Sequence, residues 1–448
     1  MLTDELLTEI RSLIDAREHD RLATLASGVT PGEWARLLPA LDPREVAVLL
    51  QWLPDAGIPD LLAELDPTDA AGILRTLSRS EAADLLDAMA PDDATDVIDE
   101  LDPTDAELIL TEMEPAGAAE IRELLTYPAD SAGGIMTPAF VAVAPDLHAD
   151  EAIRALRQVA EEAETVNYVY VLDAEEHLLG VLSLHNLVLT RPETPLRELM
   201  VTDPVRVRAD ADQEAAARLL MDHNLLALPV VDADDRLLGI ITQDDVADVL
   251  EAEATEDIER LGGSQPLEIS YRRATLPLLV RRRIVWLLLL FVAEAYTGTV
   301  LRAYNDEISQ VIALSYFIPL LIGTGGNVGS QVTTTLVRAM AVGEVKLRDV
   351  GWVLGKEVGV GLVLGAVMAV IAFGRAEFLG TGRDVSFVVA ITIAAITLWS
   401  ATVASVLPLV LKRLRIDPAV VSAPFITTLV DGTGLVIYFT IAKVVLGL

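Results

Sequence analysis

Asp431 stands in the middle of an apolar run, Pro424-Phe-Ile-Thr-Thr-Leu-Val-Asp431-Gly-Thr-Gly434. A carboxylate at the centre of a hydrocarbon layer costs about 3 kcal/mol or more unless it faces water, a cation or a partner. Thr427 lies four residues earlier, so on a helix its hydroxyl and the carboxylate line one stripe. No Lys or Arg falls in the central part of any long apolar run. Two readings follow: a protonated or hydrogen-bonded structural Asp, or a cation site. Hard divalent cations take oxygen ligands, and Mg²⁺ keeps several waters while accepting one or two carboxylates. One Asp per chain is thin for such a site. Two chains about a two-fold axis bring two carboxylates together, which favours a homodimer. Glu294, in an earlier apolar run, is the second candidate, with a packed polar pocket as its alternative role. Asn327 offers an amide oxygen or a helix cap, and Glu307 and Glu357 fall near the ends of apolar runs.

The elements that must hold these groups are apolar stretches at 284–304, 308–340, 350–373, 385–411 and 418–447. Each is long enough to cross a hydrocarbon core of about 30 Å as a helix. The second is overlong and reads as broken near Gly323-Thr-Gly-Gly-Asn-Val-Gly-Ser-Gln331, a break tolerated only where protein or a watery cavity satisfies the freed backbone. Five spans, unlike four, put the two ends of the membrane half on opposite sides and make the count of basic residues consistent. Ten basic residues (Arg281, Arg282, Arg283, Arg338, Lys346, Arg348, Lys356, Lys412, Arg413, Arg415) fall on one side and four (Arg302, Arg375, Arg383, Lys443) on the other. Basic loops stay inside, so the N-terminal half is expected in the cytosol and the C-terminus outside an inner or cell membrane. Gly351, Gly355 and Gly359 sit four apart in the third span, a spacing suited to close helix packing.

Charge separates the chain into two halves. Of 33 basic and 68 acidic residues, 14 and 10 lie from Arg281 onward, which leaves 19 and 58 before it, a net of −39. Dense acid disfavours nucleic acid as a partner and suits cations or simple solvation. There is no cysteine, which removes disulfides, thiolate metal sites and Cys nucleophiles. The first twenty residues show no basic n-region or apolar h-region, so no signal peptide is expected. No phosphate loop, nucleophile–base pair or His/Glu metal motif is visible, so no enzyme is expected.

Within the acidic half, proline recurs at 43, 54, 67, 91, 103 and 115, with Leu-Asp-Pro at 41–43, 65–67 and 101–103. Proline starts helices and cannot continue them; short helices at a fixed period of about 12 make an all-α solenoid. Residues 128–250 differ. Val169-Tyr-Val-Leu-Asp173 with Leu179-Gly-Val-Leu-Ser-Leu-His-Asn186 recurs as Leu228-Pro-Val-Val-Asp232 with Leu238-Gly-Ile-Ile-Thr-Gln-Asp-Asp245, offset by 59. Each copy predicts two strands and a helix capped by Ser183 or Thr242. Met136-Thr-Pro138 and Met200-Val-Thr-Asp-Pro204 precede them. This α/β pattern resembles a tandem cystathionine-β-synthase (CBS) pair, a module that often binds adenosine nucleotides.

Taken in order, the parts resemble the MgtE magnesium transporters over essentially the whole chain. Tyr127-Pro-Ala-Asp-Ser-Ala-Gly-Gly-Ile-Met-Thr137, Leu250-Glu-Ala-Glu-Ala-Thr-Glu-Asp-Ile258, Gly323-Thr-Gly-Gly-Asn327, Thr427-Thr-Leu-Val-Asp431 and Asp417-Pro-Ala-Val-Val-Ser422 carry the resemblance. It implies a multidomain chain: an acidic helical domain over 1–127, the CBS pair over 128–250, a connecting helix over 251–280 and a five-span α-helical domain over 281–448. It implies a homodimer with a Mg²⁺ pore between protomers and Asp431 as the ion-selecting carboxylate. It also implies that cytosolic Mg²⁺ bound between acidic faces holds the pore shut. Acidic faces repel, and a divalent cation between them offsets that repulsion. The candidate bridging acids are Asp92, Asp96, Asp245, Asp248, Glu256, Asp257 and Asp417. The resemblance further implies ATP as a regulatory ligand, with Tyr168 or Tyr170 stacking and Asp245 on a ribose. The first CBS motif departs from the family's Ser-x-Arg-Asp and reads Ser183-Leu-His-Asn186; an Asn accepts a hydrogen bond without carrying charge. Mn²⁺ or Co²⁺ transport and a non-transporting membrane-anchored Mg²⁺ sensor are the alternatives. The absence of His, Cys or Met from the ligand stretch favours Mg²⁺.

Overall fold

The computed structural model describes residues 2–448 except 27, 30–32, 35–36, 42, 51–57, 64, 161–162, 268, 270, 272–273 and 421–422. Pro54 of the proline repeat, and Val421 and Ser422, lie outside the described residues. The chain divides into two units, residues 1–252 and 253–448.

The first unit begins with short helices: α1 (Leu2–Ala16), α2 (His19–Ala26), α3 (Pro43–Leu50), α4 (Ile58–Ala63), α5 (Pro67–Leu74), α6 (Arg79–Leu86), α7 (Pro91–Asp99), α8 (Pro103–Glu112) and α9 (Pro115–Leu124). Proline opens α5, α7, α8 and α9, where its missing N–H costs nothing and its fixed φ suits the first turn. Asp66 and Asp102 cap α5 and α8 by accepting from the N–H of Thr68 and Thr104 at 3.0 Å. Where proline is missing, α6 starts with a reciprocal Ser78–Glu81 capping box, which satisfies two orphan N–H groups. The repeat read from the sequence is therefore a helix-initiation repeat. Its apolar faces share one core that includes Ile10, Leu49, Leu62, Leu74, Leu86 and Val97.

The remainder of this unit holds β1 (Ala142–Val143), α10 (Ala149–Val159), β2 (Tyr168–Leu172), β3 (Leu178–Ser183), α11 (Leu184–Leu189), α12 (Leu196–Leu199), β4 (Val201–Thr202), β5 (Val207–Arg208), α13 (Gln213–Asp222), β6 (Ala227–Val231) and β7 (Leu237–Thr242). Two sheets form, ordered β1-β2-β3-β4 and β5-β6-β7. The offset of 59 holds to the residue: β2 maps onto β6 and β3 onto β7. In each hairpin the strands are antiparallel with a register shift at the same place, Val171/Leu172 and Val230/Val231. The two hairpin turns also pair, Leu178 N–H to Asp235 O at 3.0 Å and Leu237 N–H to Glu176 O at 3.1 Å.

α14 (Gln243–Leu261) follows β7 directly and runs through the expected boundary at 250/251. The connecting segment is thus the second half of a CBS helix, followed by a stretch to Thr275, rather than one helix over 251–280. In the second unit come α15 (Leu276–Ala303), α16 (Asn305–Gln310), α17 (Ile318–Ala341), α18 (Val350–Phe378), α19 (Arg383–Arg413) and α20 (Ala423–Leu446). Among the described residues five helices are long and apolar enough to cross a membrane, as expected. The expected break at Gly323–Gln331 is absent, because α17 is continuous there. Those glycines serve packing. A Cβ on Gly325 would lie 2.7 Å from Ile396 and Val430, and one on Gly329 would lie 2.4 Å from Ile426. Small residues let α17 close onto α19 and α20. The irregular backbone lies earlier, at α16 and the 3-10 turn Ile312–Phe317.

Candidate metal centres

The first unit gathers acids from three places. Pro91 sets α7 so that Asp92 and Asp93 occupy its first turn, and Asp96 follows one turn later. At the start of α14, Asp245 Oδ2 accepts from the N–H and the hydroxyl of Thr242 at 2.9 and 2.7 Å, and that hydroxyl also donates to Asp244. Glu164 comes from the segment after α10. Burial, and then the neighbouring acids Asp92, Asp245, Asp96 and Glu164, push Asp93 up to about 8. Partial desolvation, then Asp92 and Asp245, raises Asp96 to about 7, and partial desolvation, then Asp92, Asp245 and Asp244, raises Glu164 to about 7, while both side chains keep an exposed edge. Burial lifts Asp245 to about 6 against the pull of its Thr242 bonds. Asp92 is raised mainly by burial, and one of its oxygens, Oδ1, is buried without a hydrogen-bond partner. Crowded carboxylates with a free oxygen fit a hard cation, which supplies the missing charge and the missing contact at once.

Asp92, Asp96 and Asp245 were legible from the sequence. Asp93 and Asp244 were missed, although each is half of an Asp doublet at a helix start, and Glu164 had no local signal. Asp248 is exposed on α14. Asp173, Glu175 and His177 also place candidate ligand atoms within 4.8 Å of one another. There Asp173 Oδ1 already accepts from the N–H groups of Glu175 and His177, the bonding of a tight turn.

In the second unit the acids of α14 meet a basic group. Arg260 pairs with both Glu256 and Asp417, and Asp417 Oδ1 also accepts from Ala419 N–H at 2.8 Å. Asp257 is raised by burial, then by Asp417 and Glu253, with Arg260 and Arg338 opposing. Glu256 is raised by burial, with Arg260 opposing. Glu256, Asp257 and Asp417 are thus brought together, with Arg260 already neutralising part of their charge.

At membrane depth, α20 carries Thr427 and Asp431 on one stripe. Thr427 faces Gly326 of α17, where a Cβ would lie 2.7 Å from its methyl group. Its hydroxyl donates to Ala423 O at 3.0 Å and lies 3.4 Å from Ser330 Oγ. Asp431 is 7% exposed, and its Oδ1 is buried with no hydrogen-bond partner. The countercharge that Glu307 finds in Lys443, 2.6 Å away, has no equivalent at Asp431 among the described residues.

The CBS pair contains an open cleft of about 390 Å³ lined by Asn167, Tyr168, Ser183, Leu184, His185, Val188, Leu189 and Leu226. The segment equivalent to Ser183–Asn186 at offset 59, Thr242–Asp245, is where the α7 acids gather. Tyr168 lines the open cleft. Tyr170 does not: it is 1% exposed and edge-on to Phe140 at 5.9 Å, so it is a core residue and cannot stack on a ligand. Asp245 likewise belongs to the acid cluster and not to the open cleft, where Asn186 stands in the matching position.

An acidic helical array, a CBS pair and five apolar helices with an unpaired carboxylate at mid-span define a multi-pass membrane transporter of cations. The family model described as a divalent cation transporter matches residues 318–441. The MgtE intracellular N domain matches 29–130, and CBS domains match 132–192 and 196–252. The magnesium transporter MgtE of Thermus thermophilus is 42% identical over 328 residues, 73% of each chain. That of Enterococcus faecalis is 37% identical over 333 residues, 73% of this chain and 71% of its own. Among solved structures, the cytosolic domain of the Mg²⁺ channel MgtE in complex with ATP is 35% identical, with a TM-score of 0.52 over 54% of this chain and 99% of that one. The soluble part of a magnesium transporter is 31% identical, with a TM-score of 0.51 over 56% and 99%. The chain belongs to the MgtE family of magnesium transporters.

Proposed function

We propose that the protein is a channel-type Mg²⁺ uptake system, closed by cytosolic Mg²⁺ bound at its acidic clusters. The observation that carries this reading is Asp431, a carboxylate with an unpartnered oxygen at mid-span. Oxygen-only ligands suit Mg²⁺ more than softer ions. Two protomers about a two-fold axis supply two such carboxylates, with water filling the remaining positions. No fuel-hydrolysing element is read, so the membrane potential drives entry at about 2.3 kcal/mol per charge per 100 mV.

Closure follows from population shift. A ligand that binds one conformation better moves the equilibrium toward it. The cluster of Asp92, Asp93, Asp96, Asp244, Asp245 and Glu164 is strained by its own charge, and a cation bound there favours the state in which α7 stays docked. The second cluster, Glu256, Asp257 and Asp417, acts in the same way beside the membrane. In this reading residues 1–127, 128–250, 251–280 and 281–448 serve as sensor, regulatory pair, connector and pore. The soluble half is cytosolic and the C-terminus outside. The open CBS cleft takes ATP, with Tyr168 under the base.

The test is Mg²⁺ influx into proteoliposomes, comparing the unaltered chain with Asp431→Ala at low and high Mg²⁺ on the soluble-half side. Flux only at low Mg²⁺, lost in Asp431→Ala, is the expected result. Flux indifferent to Asp431 would place a membrane-anchored Mg²⁺ sensor first, and equal flux of Mn²⁺ or Co²⁺ would make the transporter a general divalent one.

A further inference from the structure

The first span carries a second carboxylate, Glu294, which is exposed on α15. At 1.5 Å per residue it lies roughly 16 Å along the helix from Arg283 and roughly 12 Å from Arg302, which puts it near the middle of the membrane. Asp431 is roughly 12 Å from the start of α20 by the same measure, so the two acids lie at similar depth. α15 and α20 meet there. A Cβ on Gly432 would lie 2.4 Å from the Tyr296 ring and 3.4 Å from Thr297 Oγ1. Glu294 stands one turn after buried Leu290 and one turn before buried Thr297, at the edge of that contact.

Two further atoms point to a ligand. Thr297 is 6% exposed and its Oγ1 is buried without a hydrogen-bond partner, as is Asp431 Oδ1. A lone carboxylate facing lipid costs about 3 kcal/mol, and two beside each other cost more. The span centres contain no Lys or Arg to neutralise them. A hydrated divalent cation answers all of these: charge for two carboxylates, contact for two orphan oxygens, and water on the exposed side.

We propose that Glu294 is a second carboxylate of the cation pathway, forming with Asp431 and the Thr297 hydroxyl an oxygen-lined station for a hydrated divalent cation where α15 packs on α20. The proposal rests on the reading of Asp431 as the pore carboxylate. It places Glu294 toward water and not toward lipid.

The experiment uses the full chain in proteoliposomes, with Mg²⁺ influx measured against Mg²⁺ concentration for Glu294→Gln, Glu294→Asp and Asp431→Asn. Loss of one charged ligand is expected to raise the half-saturating Mg²⁺ roughly tenfold in Glu294→Gln, with Glu294→Asp recovering most of it and Asp431→Asn abolishing flux. An unchanged concentration dependence in Glu294→Gln, with Asp431→Asn inactive, overturns the role of Glu294 and leaves Asp431 standing. Full flux in Asp431→Asn sinks the pore reading itself. Because the chain has no cysteine, Glu294→Cys supplies an independent readout. Modification by a membrane-impermeant thiosulfonate, slowed by Mg²⁺, is expected. No modification from either side means that position 294 faces lipid or packed protein, and the proposal fails.

Discussion

Arg260, one residue before the end of α14, donates to the carboxylate of Asp417, which stands six residues before the start of α20 at Ala423. The same guanidinium holds Glu256. A fixed side-chain cation thus occupies part of the space that a bridging divalent cation would take, and this limits how far the acids can separate when Mg²⁺ is low.

Arg260→Gln removes that cation and leaves Glu256, Asp257 and Asp417 facing one another. The expected outcome is a closed state more dependent on Mg²⁺: the concentration that halves flux rises several-fold, and saturating Mg²⁺ still closes the pore. Flux measured against soluble-side Mg²⁺ checks this. An unchanged midpoint would mean that the ion pair has no part in closure.

The α7–α14 cluster predicts a pH dependence with a definite sign. Its carboxyls are raised in the fold, to about 6 for Asp245 and about 8 for Asp93, against about 4 in an unfolded chain. Their contribution to stability is complete below about 4 and fades as pH climbs through the range from about 6 to about 8. Without divalent cations the melting temperature of the soluble half should fall between pH 5 and pH 8, and millimolar Mg²⁺ should restore it. A melting temperature indifferent to both variables would contradict the cluster's role.

Gly329 allows close approach of α17 to α20. A Cβ there would stand 2.4 Å from Ile426 Cγ2 and 2.8 Å from Ser400 Oγ. Gly329→Val overpacks that contact at a cost of about 1–3 kcal/mol, visible as an earlier thermal transition of the detergent-solubilised chain. Gly359, whose Cβ would meet nothing within 4 Å, should accept Ala without such a shift.

Tyr168 and Tyr170 lie two residues apart on one face of β2, but Tyr168 stands at the strand's start on the cleft while Tyr170 is enclosed in the core. Tyr168→Ala should weaken ATP binding roughly tenfold, the scale of one base–aromatic stack, at an unchanged melting temperature. Tyr170→Ala should instead cost about 3–5 kcal/mol of stability through the cavity it leaves. Calorimetric titration with ATP and a thermal scan separate the two effects. Equal loss of binding in both variants would contradict the assignment of the open cleft.

Much of this protein was determined by local rules that a sequence displays. Proline spacing specifies where helices begin, because proline favours the first turn and forbids continuation. The 59-residue offset specifies two equal βα units, because strand alternation and a capped helix start are short-range patterns. Apolar length specifies five spans, because a bilayer has a fixed thickness. Asp431 and its stripe partner Thr427 were legible for the same reason: a charge inside such a span is an anomaly visible in one dimension. What tertiary structure decided were matters of distance across the chain. Only packing shows that the glycines after Ile322 close a helix contact and do not break a helix. Only the fold shows that Tyr170 is core while Tyr168 lines a cleft. It also brings Glu164 and Asp244 to the acids of α7, and Glu294 to the α15–α20 contact beside Asp431. Each of these depends on elements far apart in sequence, and the energies involved, steric overlap and Coulomb repulsion, act only once those elements are within a few ångströms of each other.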